Sequence, residues 1–220
     1  MEFLKAGPED TGEIFRIMNL AYSLLEHKDW YCIDTEEYVR EHIEDPAKGI
    51  VFKAVEDGQV GAFFIIHYPG LTDTSLGHYM DLDEKELLNV AYMDSLAVLP
   101  RFRGRRLQYG LMAHGETYLS ATSFCHLMGT VHPDNTYSLN NFLNLGYKVV
   151  TTTQKYGSLP RSIMYKRIIP SVDKGTHAPT AVFWRLAALT SVGVRPATVT
   201  PQNRKSVVQN RVSPCPLRVP

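Results

Sequence analysis

A chain of 220 residues is long enough for one well-filled hydrophobic core. Its 23 basic and 23 acidic residues balance, so the overall charge points neither to nucleic acid nor to a membrane surface. The cysteines Cys32, Cys125 and Cys215 are too far apart for a metal-ligand pattern or a disulfide framework. No secretion signal precedes the first strand, and no apolar run reaches the ~18 residues of a membrane span. We therefore expect a cytoplasmic location, no membrane partner and no metal.

The predicted elements of the N-terminal half begin with a short strand and two helices. Residues 2–6 read as a strand, and residues 7–26 carry apolar side chains at helical spacing. Residues 35–45 predict a shorter helix, with Thr35 as its N-cap and acidic residues in its first turn. Two strands within residues 49–68 meet at Asp57-Gly58, a strong signal for a two-residue hairpin. Residues 69–90 are polar and their apolar pattern is interrupted, which predicts a loop with one helical turn.

The rest of the body alternates strands with helices. A central strand at residues 91–100 leads into a basic turn and a helix that runs to about Ser120. A strand at residues 124–133 precedes a helix at 135–146, which Gly146 closes as the C′ residue. Residues 147–156 and 161–168 then read as two strands. Hairpins beside helical crossovers predict an α/β fold with a mixed central sheet flanked by helices.

Residues 171–220 differ in composition from the rest of the chain. They hold seven of the 23 Lys and Arg residues, one of the 23 acids and six of the 13 prolines. The formal charge is therefore about −6 for residues 1–170 and about +6 for the tail. We expect one domain in residues 1–170 and a poorly ordered basic tail in residues 171–220, with one candidate helix at 181–189. Two alternatives stay open for the tail: it binds nucleic acid or an acidic partner, or it has no function.

The stretch LAVLPRFRGRRLQYGLM, residues 96–112, places four arginines around Gly104 where an apolar strand gives way to a helix. Free backbone N–H groups and the helix dipole make such a turn an anion site. A Walker P-loop would need a lysine followed by Ser or Thr, and a dinucleotide fingerprint would need three glycines. Neither is present. The acidic body and the lack of an aromatic stacking series argue against nucleic acid as the anion. Alternatively, the arginines only solvate the start of a helix.

Two motifs in this order give the sequence a family resemblance. MDSLAVLPRFRGRRLQYGLM, residues 93–112, resembles the coenzyme motif of GNAT-type N-acetyltransferases, in which a strand ending V-x-P precedes (Q/R)-x-x-G-x-(G/A). TVHPDNTYSLNNFLNLGY, residues 130–147, resembles that family's next strand and helix. The resemblance covers most of residues 1–170 and implies a GNAT-like fold. The sequence departs from the motif at Arg106 and Gln108, and Phe142 stands where many relatives carry a tyrosine acid.

The resemblance implies acetyl-CoA as the acetyl donor. Residues 103–109 would face its pyrophosphate, with charge-assisted contacts from Arg103 or Arg105. The strand at residues 96–98 would splay from its neighbour and pair with the pantetheine arm, and the Val98 amide would polarise the thioester carbonyl. Asn135 and Asn141 would hold the arm, although Asn135 could instead cap a helix. The predicted coenzyme-binding residues are Leu96, Ala97, Val98, Arg103, Gly104, Arg105, Arg106, Leu107, Gln108, Tyr109, Asn135, Ser138 and Asn141.

Asp94 is the first candidate for a general base. A primary amine with a pKa of ~10 is mostly protonated at neutral pH and must lose a proton before it attacks. Strand alternation is expected to put Tyr92, Asp94 and Leu96 on one face, with Asp94 just upstream of the thioester contact. The alternative for Asp94 is a structural carboxylate that pairs with an arginine or caps a backbone amide.

Two further candidates for catalysis come from the second motif. His132, at the end of the next strand, is a second candidate base, and its alternative is a loop-positioning role. Tyr147 is the candidate acid, beside Tyr137 and Ser138, and its alternative is a core or rim aromatic. Since thiolates are tolerable leaving groups near neutral pH, the reaction could also proceed without a dedicated acid.

The acceptor is the least defined part of the sequence. An aromatic-walled pocket is expected from six residues in segments that surround the acceptor cleft in such folds. These residues are Trp30, Tyr31, His67, Tyr68, His78 and Tyr79. The predicted function is acetyl transfer to a primary amine of a small molecule or peptide by direct attack in a ternary complex. The alternative is a catalytically weak acyl-CoA-binding sensor or partner-binding module, and a homodimer stays open.

Overall fold

A computed structural model describes residues 1–171 of the chain. Seven strands and five α-helices occupy this range, besides short 3-10 helices. The strands are β1 (Glu2–Lys5), β2 (Gly49–Glu56), β3 (Gln59–His67), β4 (Val90–Val98), β5 (His126–Val131), β6 (Lys148–Lys155) and β7 (Leu159–Arg167). The helices are α1 (Thr11–Ser23), α2 (Glu36–Glu44), α3 (Glu84–Leu87), α4 (Leu107–Ser120) and α5 (Thr136–Asn144). The tail and its candidate helix at 181–189 lie outside the described residues.

All seven strands form one mixed sheet in the order β1-β2-β3-β4-β5-β7-β6. Every neighbouring pair is antiparallel except β4 and β5, which run parallel and are joined by the crossover helix α4. The predicted mixed α/β sheet is therefore confirmed. The carboxyl ends of β4 and β5 and the start of α4 meet at one edge of the sheet, where open sheets commonly bind ligands.

The predicted turns and caps follow from local chemistry. Thr35 accepts a hydrogen bond from the Tyr38 amide at 3.1 Å and begins α2. Asp57 and Gly58 both have positive φ, as a type I′ hairpin between β2 and β3 requires. Gly146 has a φ of +86° and follows α5, where the Tyr147 amide donates to the Phe142 carbonyl in a Schellman arrangement. All three predictions are confirmed.

The core is built on both faces of β3. Residues 63–66 are all almost fully buried, so side chains on both sides of this strand are covered. Helix α4 covers one face, because Gly115 lets the helix approach Phe64 and Ile66 closely. Burial of each such Phe or Ile contributes about 1.5–3 kcal/mol, which makes the sheet a firm support for the loops at its edge.

Residues 69–90 depart from the prediction of a loop with one helical turn. They contain a 3-10 helix at Leu76–Met80 and then α3, which Asp83 caps by accepting from the amides of Lys85 and Glu86. Leu76 and Leu87 are buried in a small separate cluster with Met128 and Ile163, so tertiary burial orders this polar segment. No helix in residues 1–171 is long and apolar enough to cross a bilayer.

Candidate active site

Strand β4 carries a bulge at Asp94. Ile65 of β3 pairs with Ser95 and Ile66 pairs with Met93, which leaves Asp94 as the extra residue on β4. A bulge of this kind re-aims a side chain and commonly lies next to active sites. The bulge shifts the pairing with β3, whereas burial along β4 still alternates, with Tyr92, Asp94 and Leu96 all half-buried.

Beyond the bulge, β4 and β5 separate. Their parallel pairing ends at Tyr92 and Met128, although β4 continues to Val98 and β5 to Val131. The Leu99 amide donates to the Gly61 carbonyl of β3 at 2.9 Å. Backbone direction alternates along a strand, so the amides of Leu96 and Val98 point away from β3, towards the gap. The gap is therefore lined by β4 backbone groups that β5 does not pair.

The basic turn between β4 and α4 is open on its outer side. Gly104 has a φ of +76°, and a Cβ built there would meet no atom within 4 Å. Arg106 is the N-cap position of α4, with a left-handed φ of +58°. Arg105 makes a two-pronged ion pair with Glu56, with both N···O distances 2.7 Å. Arg103 reaches back only to the Val98 carbonyl, at 3.4 Å. Of these two arginines, Arg103 is the less firmly held.

Helix α5 lies beside the start of α4. The Gln108 amide donates to the Ser138 hydroxyl at 3.0 Å and links the two helices. Asn135 caps α5 by accepting from the Ser138 amide, so its side chain has the structural role that the sequence left open. Asn141 donates its side-chain amide to the Tyr137 carbonyl, which leaves its Oδ1 atom outside that bond.

Asp94 lines a small cleft next to the gap between β4 and β5. The Tyr38 hydroxyl of α2 donates to Asp94 Oδ2 at 2.6 Å and fixes the carboxylate. The cleft is lined by Trp30, Tyr31, Cys32, Asp34, Asp94, Ser95, Thr130, Tyr156 and Arg161. Burial raises the pKa of Tyr31 far above its usual value, and the charges of Asp34 and Asp94 add to this effect. Tyr31 therefore stays a neutral hydroxyl, hydrogen-bonded to Ser95.

A pair of histidines lies behind Tyr38. His42 Nε2 and His67 Nδ1 are 2.8 Å apart, and His42 Nδ1 is 2.7 Å from the Tyr38 carbonyl. The Tyr38 and His42 rings also pack with centroids 4.0 Å apart. Burial lowers the pKa of His42, so this ring is neutral near pH 7.

His132 is engaged through both ring nitrogens. Its Nδ1 accepts from the Asp134 amide at 3.2 Å, and its Nε2 lies 3.2 Å from the Asp29 carboxylate. The residue is 4% exposed, and its ring stacks against Trp30. Nε2 is therefore the ring nitrogen that can donate to Asp29, and His132 does not line the cleft around Asp94.

Tyr147 and Phe142 pack edge-on with ring centroids 4.9 Å apart. Tyr147 is 2% exposed, and burial together with the nearby charge of Glu116 raises the pKa of its hydroxyl well above the usual value. It does not line the cleft around Asp94 either. Phe142 fills the space beneath Gly129 of β5, so an apolar ring stands where the family resemblance leads one to expect a tyrosine.

Two of the six aromatic residues predicted to wall the acceptor pocket, Trp30 and Tyr31, line the cleft. The other four make other contacts. Tyr68 stacks on Phe124, His67 pairs with His42, His78 bonds to the Thr72 carbonyl, and Lys155 lies over the ring of Tyr79.

Several residues at the cleft were not predicted from the sequence. Asp34 lies in the loop before α2, Tyr156 in the loop before β7, and Arg161 in β7. Tyr38 of α2 contacts the cleft residue Asp94. Arg161 donates to the carbonyls of Pro160 and Asp29, which fastens the loop containing Trp30 to β7. None of these residues belongs to a motif, and only tertiary contacts bring them together.

The residues present fit acetyl-CoA. The gap offers unpaired β4 amides to an amide-containing arm, and the open turn at Gly104 offers amides and positive charge to a pyrophosphate. A ligand can approach the backbone at Gly104 closely, because no protein atom lies within 4 Å of a Cβ built there.

Comparison with known proteins agrees with this geometry. The family model for the GNAT acetyltransferases matches residues 14–147, which is more than half of the chain. This chain belongs to the GNAT acetyltransferase family. It is therefore an acetyltransferase by family, and acetyl-CoA is the cofactor of that family.

Solved structures share the fold at low sequence identity. The protein yncA of Salmonella typhimurium, solved with its cofactor acetyl-CoA, is 17% identical over 82% of this chain and 98% of its own, with a TM-score of 0.60. The ribosomal-protein-S18-alanine N-acetyltransferase of Escherichia coli is 16% identical over 80% of this chain and 99% of its own, with a TM-score of 0.59. No curated protein sequence matches the chain.

Proposed function

We propose that the protein transfers the acetyl group of acetyl-CoA to a primary amine by direct attack in a ternary complex. The observation that carries this proposal is the juxtaposition at the edge of the sheet. A carboxylate on a strand bulge lies beside the gap between β4 and β5, and an amide-rich anion site lies at the end of the same strand. The acceptor is a primary amine of a small molecule or of a peptide.

The coenzyme would be held by three parts of the chain. The backbone of Leu96–Val98 would pair with its amide-containing arm, and the turn amides of residues 104–107 would face its pyrophosphate. Arg103 is better placed than Arg105 to add charge, because Arg105 is occupied by Glu56. When bound, acetyl-CoA supplies the acetyl group as a thioester. The Val98 amide, pointing into the gap, would polarise the thioester carbonyl, and one such donor contributes about 3 kcal/mol.

Asp94 would take the proton from the acceptor amine. The Tyr38 hydroxyl holds Oδ2 in place, so Oδ1 remains outside that bond to receive a proton. Asp34 in the same cleft adds negative charge that attracts an ammonium group. His132 is a weaker choice for this role, because both its ring nitrogens are engaged and it lies outside the cleft lining.

None of the candidate acids in residues 130–147 lines the cleft around Asp94. Tyr147 is buried against Phe142, away from the cleft lining, so we assign it a packing role. A thiolate is a tolerable leaving group near neutral pH, and the reaction can proceed with solvent as the proton source.

A second function, an acyl-CoA-binding sensor with little catalysis, is favoured by the apolar ring of Phe142 at the position of the family's acid. The two functions differ in turnover. Thiol release from acetyl-CoA is measured with the full chain across alkylamines, aralkylamines, amino acids and peptides with free N-termini. We expect at least one amine to give enzyme-dependent release together with an acetylated product. Coenzyme binding without turnover on any amine would reject the enzyme and leave the sensor.

A further inference from the structure

The cleft around Asp94 is small. Its volume is about 50 Å³, far below the roughly 300–1,000 Å³ of pockets that enclose a whole small-molecule ligand. A water molecule takes up roughly 30 Å³ in the liquid, so the cleft holds about two groups of that size. An ammonium group and the carbon that carries it fill such a space. The remainder of an acceptor then lies outside the cleft.

The walls of the cleft are held in place by partners, so the room inside it is limited. Tyr31 is hydrogen-bonded to Ser95, which is buried. The Trp30 ring stacks with His27 and with His132, at centroid distances of 4.7 and 6.0 Å. A branch on the carbon next to the amine would have to displace these side chains, and overpacking of this kind is costly.

The charge of the cleft favours an amine without a carboxylate. Two aspartates, Asp34 and Asp94, and one arginine, Arg161, give the lining a formal charge of −1. Arg161 is 2% exposed, and its two terminal nitrogens donate to the carbonyls of Pro160 and Asp29. An ammonium group neutralises the net negative charge. A carboxylate on the carbon that carries the amine would instead lie close to two carboxylates that repel it.

Aromatic rings complete the lining. Trp30, Tyr31 and Tyr156 all contribute to it. The guanidinium carbon of Arg161 lies 5.7 Å from the centroid of the Tyr156 ring, so that ring already has a cation beside it. Trp30 and Tyr31 then serve the acceptor, because an aromatic ring attracts an ammonium group and also packs well against a methylene.

We infer that the cleft accepts an unbranched aminomethyl group, –CH₂–NH₃⁺, with no carboxylate on the same carbon. This assignment rests on the proposed function, and it narrows the acceptor to alkylamines and the lysine side chain, without α-amino acids and peptide N-termini. The ammonium group loses one proton to Asp94, and its nitrogen bonds to the acetyl carbon as the carbon–sulfur bond breaks. The second proton passes through solvent to the leaving thiolate. The products are an amide, the coenzyme thiol and one proton.

The test measures kcat/KM of the full chain with acetyl-CoA and four matched acceptors, with rates expressed per free amine. Pentylamine presents the unbranched group. The compounds 2-aminohexane, norleucine amide and norleucine add a methyl, a carboxamide and a carboxylate to the same carbon. We expect pentylamine to exceed the two uncharged branched amines by about 10- to 100-fold, the range for one extra group in a fitted pocket. Norleucine should fall at least about tenfold below its amide.

Two peptides distinguish the sources of the aminomethyl group. One has a blocked N-terminus and a single lysine, and the other has a free N-terminus and no lysine. Mass spectrometry of the products locates the acetyl group. Acetylation of the lysine, or of pentylamine without either peptide, supports the assignment and identifies the source as a protein or a free amine. Acetylation of the free N-terminus at the rate of pentylamine would overturn it.

Asp34→Asn tests the role of charge. It should narrow the preference for norleucine amide over norleucine at least about threefold, and the ratio of pentylamine to 2-aminohexane should not change. Glu44→Gln is the matched control, because it removes an exposed carboxylate at the end of α2 that does not line the cleft. It should keep both ratios. Melting temperatures and acetyl-CoA affinities establish that each variant folds, and the wild-type series decides the matter if Asp34→Asn does not.

Equal kcat/KM for pentylamine and 2-aminohexane, or for norleucine and its amide, would overturn the assignment and leave the proposed function intact. An unchanged preference for the amide in folded Asp34→Asn would also overturn it. If acetyl-CoA binds and no amine is acetylated, the proposed function fails and the acceptor assignment fails with it.

Discussion

At the residue level, the proposed chemistry depends on Asp94, which lies at a bulge in β4. The extra residue on β4 places the carboxylate beside the strand segment whose amides face the gap. Tyr38 then fixes one carboxylate oxygen from α2. The bulge in β4 and the hydrogen bond from Tyr38 thus position the Asp94 carboxylate as a candidate base.

Asp94→Asn should lower turnover at neutral pH by about 100-fold, within the range for a lost general base. The substitution is nearly isosteric and can still accept from Tyr38, so coenzyme affinity should not change. Raising the pH should partly restore the rate, because more free amine is then present. Steady-state rates from pH 6 to 10, with calorimetric affinities alongside, measure both effects. Full turnover with a normal pH profile would make Asp94 structural.

Gly104 is the residue of the basic turn at which coenzyme binding can be tested. Its positive φ makes Gly104→Val strained, and the open space at its Cβ means that the added side chain meets the ligand rather than the protein. We expect Gly104→Val to weaken acetyl-CoA binding at least tenfold. Gly104→Asn is the control for the backbone conformation, since Asn tolerates left-handed φ, and it should fold as the wild type does. Equal affinity of Gly104→Val and wild type would remove the turn from the coenzyme site.

At the scale of elements, sequence chemistry predicts what is local. Thr35, Gly146 and the Asp57-Gly58 pair each fix a boundary through contacts within a few residues, and the structure confirms them. The bulge at Asp94 is different, because it arises from pairing with β3, about 30 residues away along the chain. Tyr38 lies 56 residues from the carboxylate it contacts. The bulge and the Tyr38 contact both depend on how distant segments pair and pack, and a local sequence pattern does not predict that.

The packing of α5 on β5 provides an element-scale prediction. A Cβ at Gly129 would lie 2.9 Å from Phe142 Cζ and 3.1 Å from the Met93 carbonyl, so Gly129→Ala should destabilise the fold by about 1–3 kcal/mol. In a Phe142→Leu background the same change should cost less, because the shorter side chain relieves the contact with the ring while the contact with the Met93 carbonyl stays. Urea unfolding of the four proteins in this cycle measures the coupling. Additive changes in the free energy of unfolding would show that α5 and β5 are not coupled through Gly129 and Phe142.

At the scale of the whole molecule, buried histidines should make stability depend on pH. Burial lowers the folded-state pKa of His42 and of His126, whereas the unfolded values stay near 6.5. The unfolded chain therefore binds more protons as the pH falls below about 6.5, and the free energy of unfolding should decrease from there through the lowered folded values. Urea unfolding at pH 7.5, 6.5 and 5.5 measures this decrease.

His42→Gln is the control for this pH dependence, because it removes one titrating ring while keeping a side chain that can hydrogen-bond. Its stability should fall less steeply between pH 7.5 and 5.5 than that of the wild type. A wild-type stability that is flat or rises on acidification over this range would contradict the buried neutral state of these rings.

The proposed acetyl-CoA site is the gap between β4 and β5, with the basic turn at its end. Calorimetric titration of the full chain with acetyl-CoA measures binding there. We expect saturable binding at one site per chain, with a dissociation constant below millimolar. No binding at millimolar acetyl-CoA by the folded protein would rule this site out.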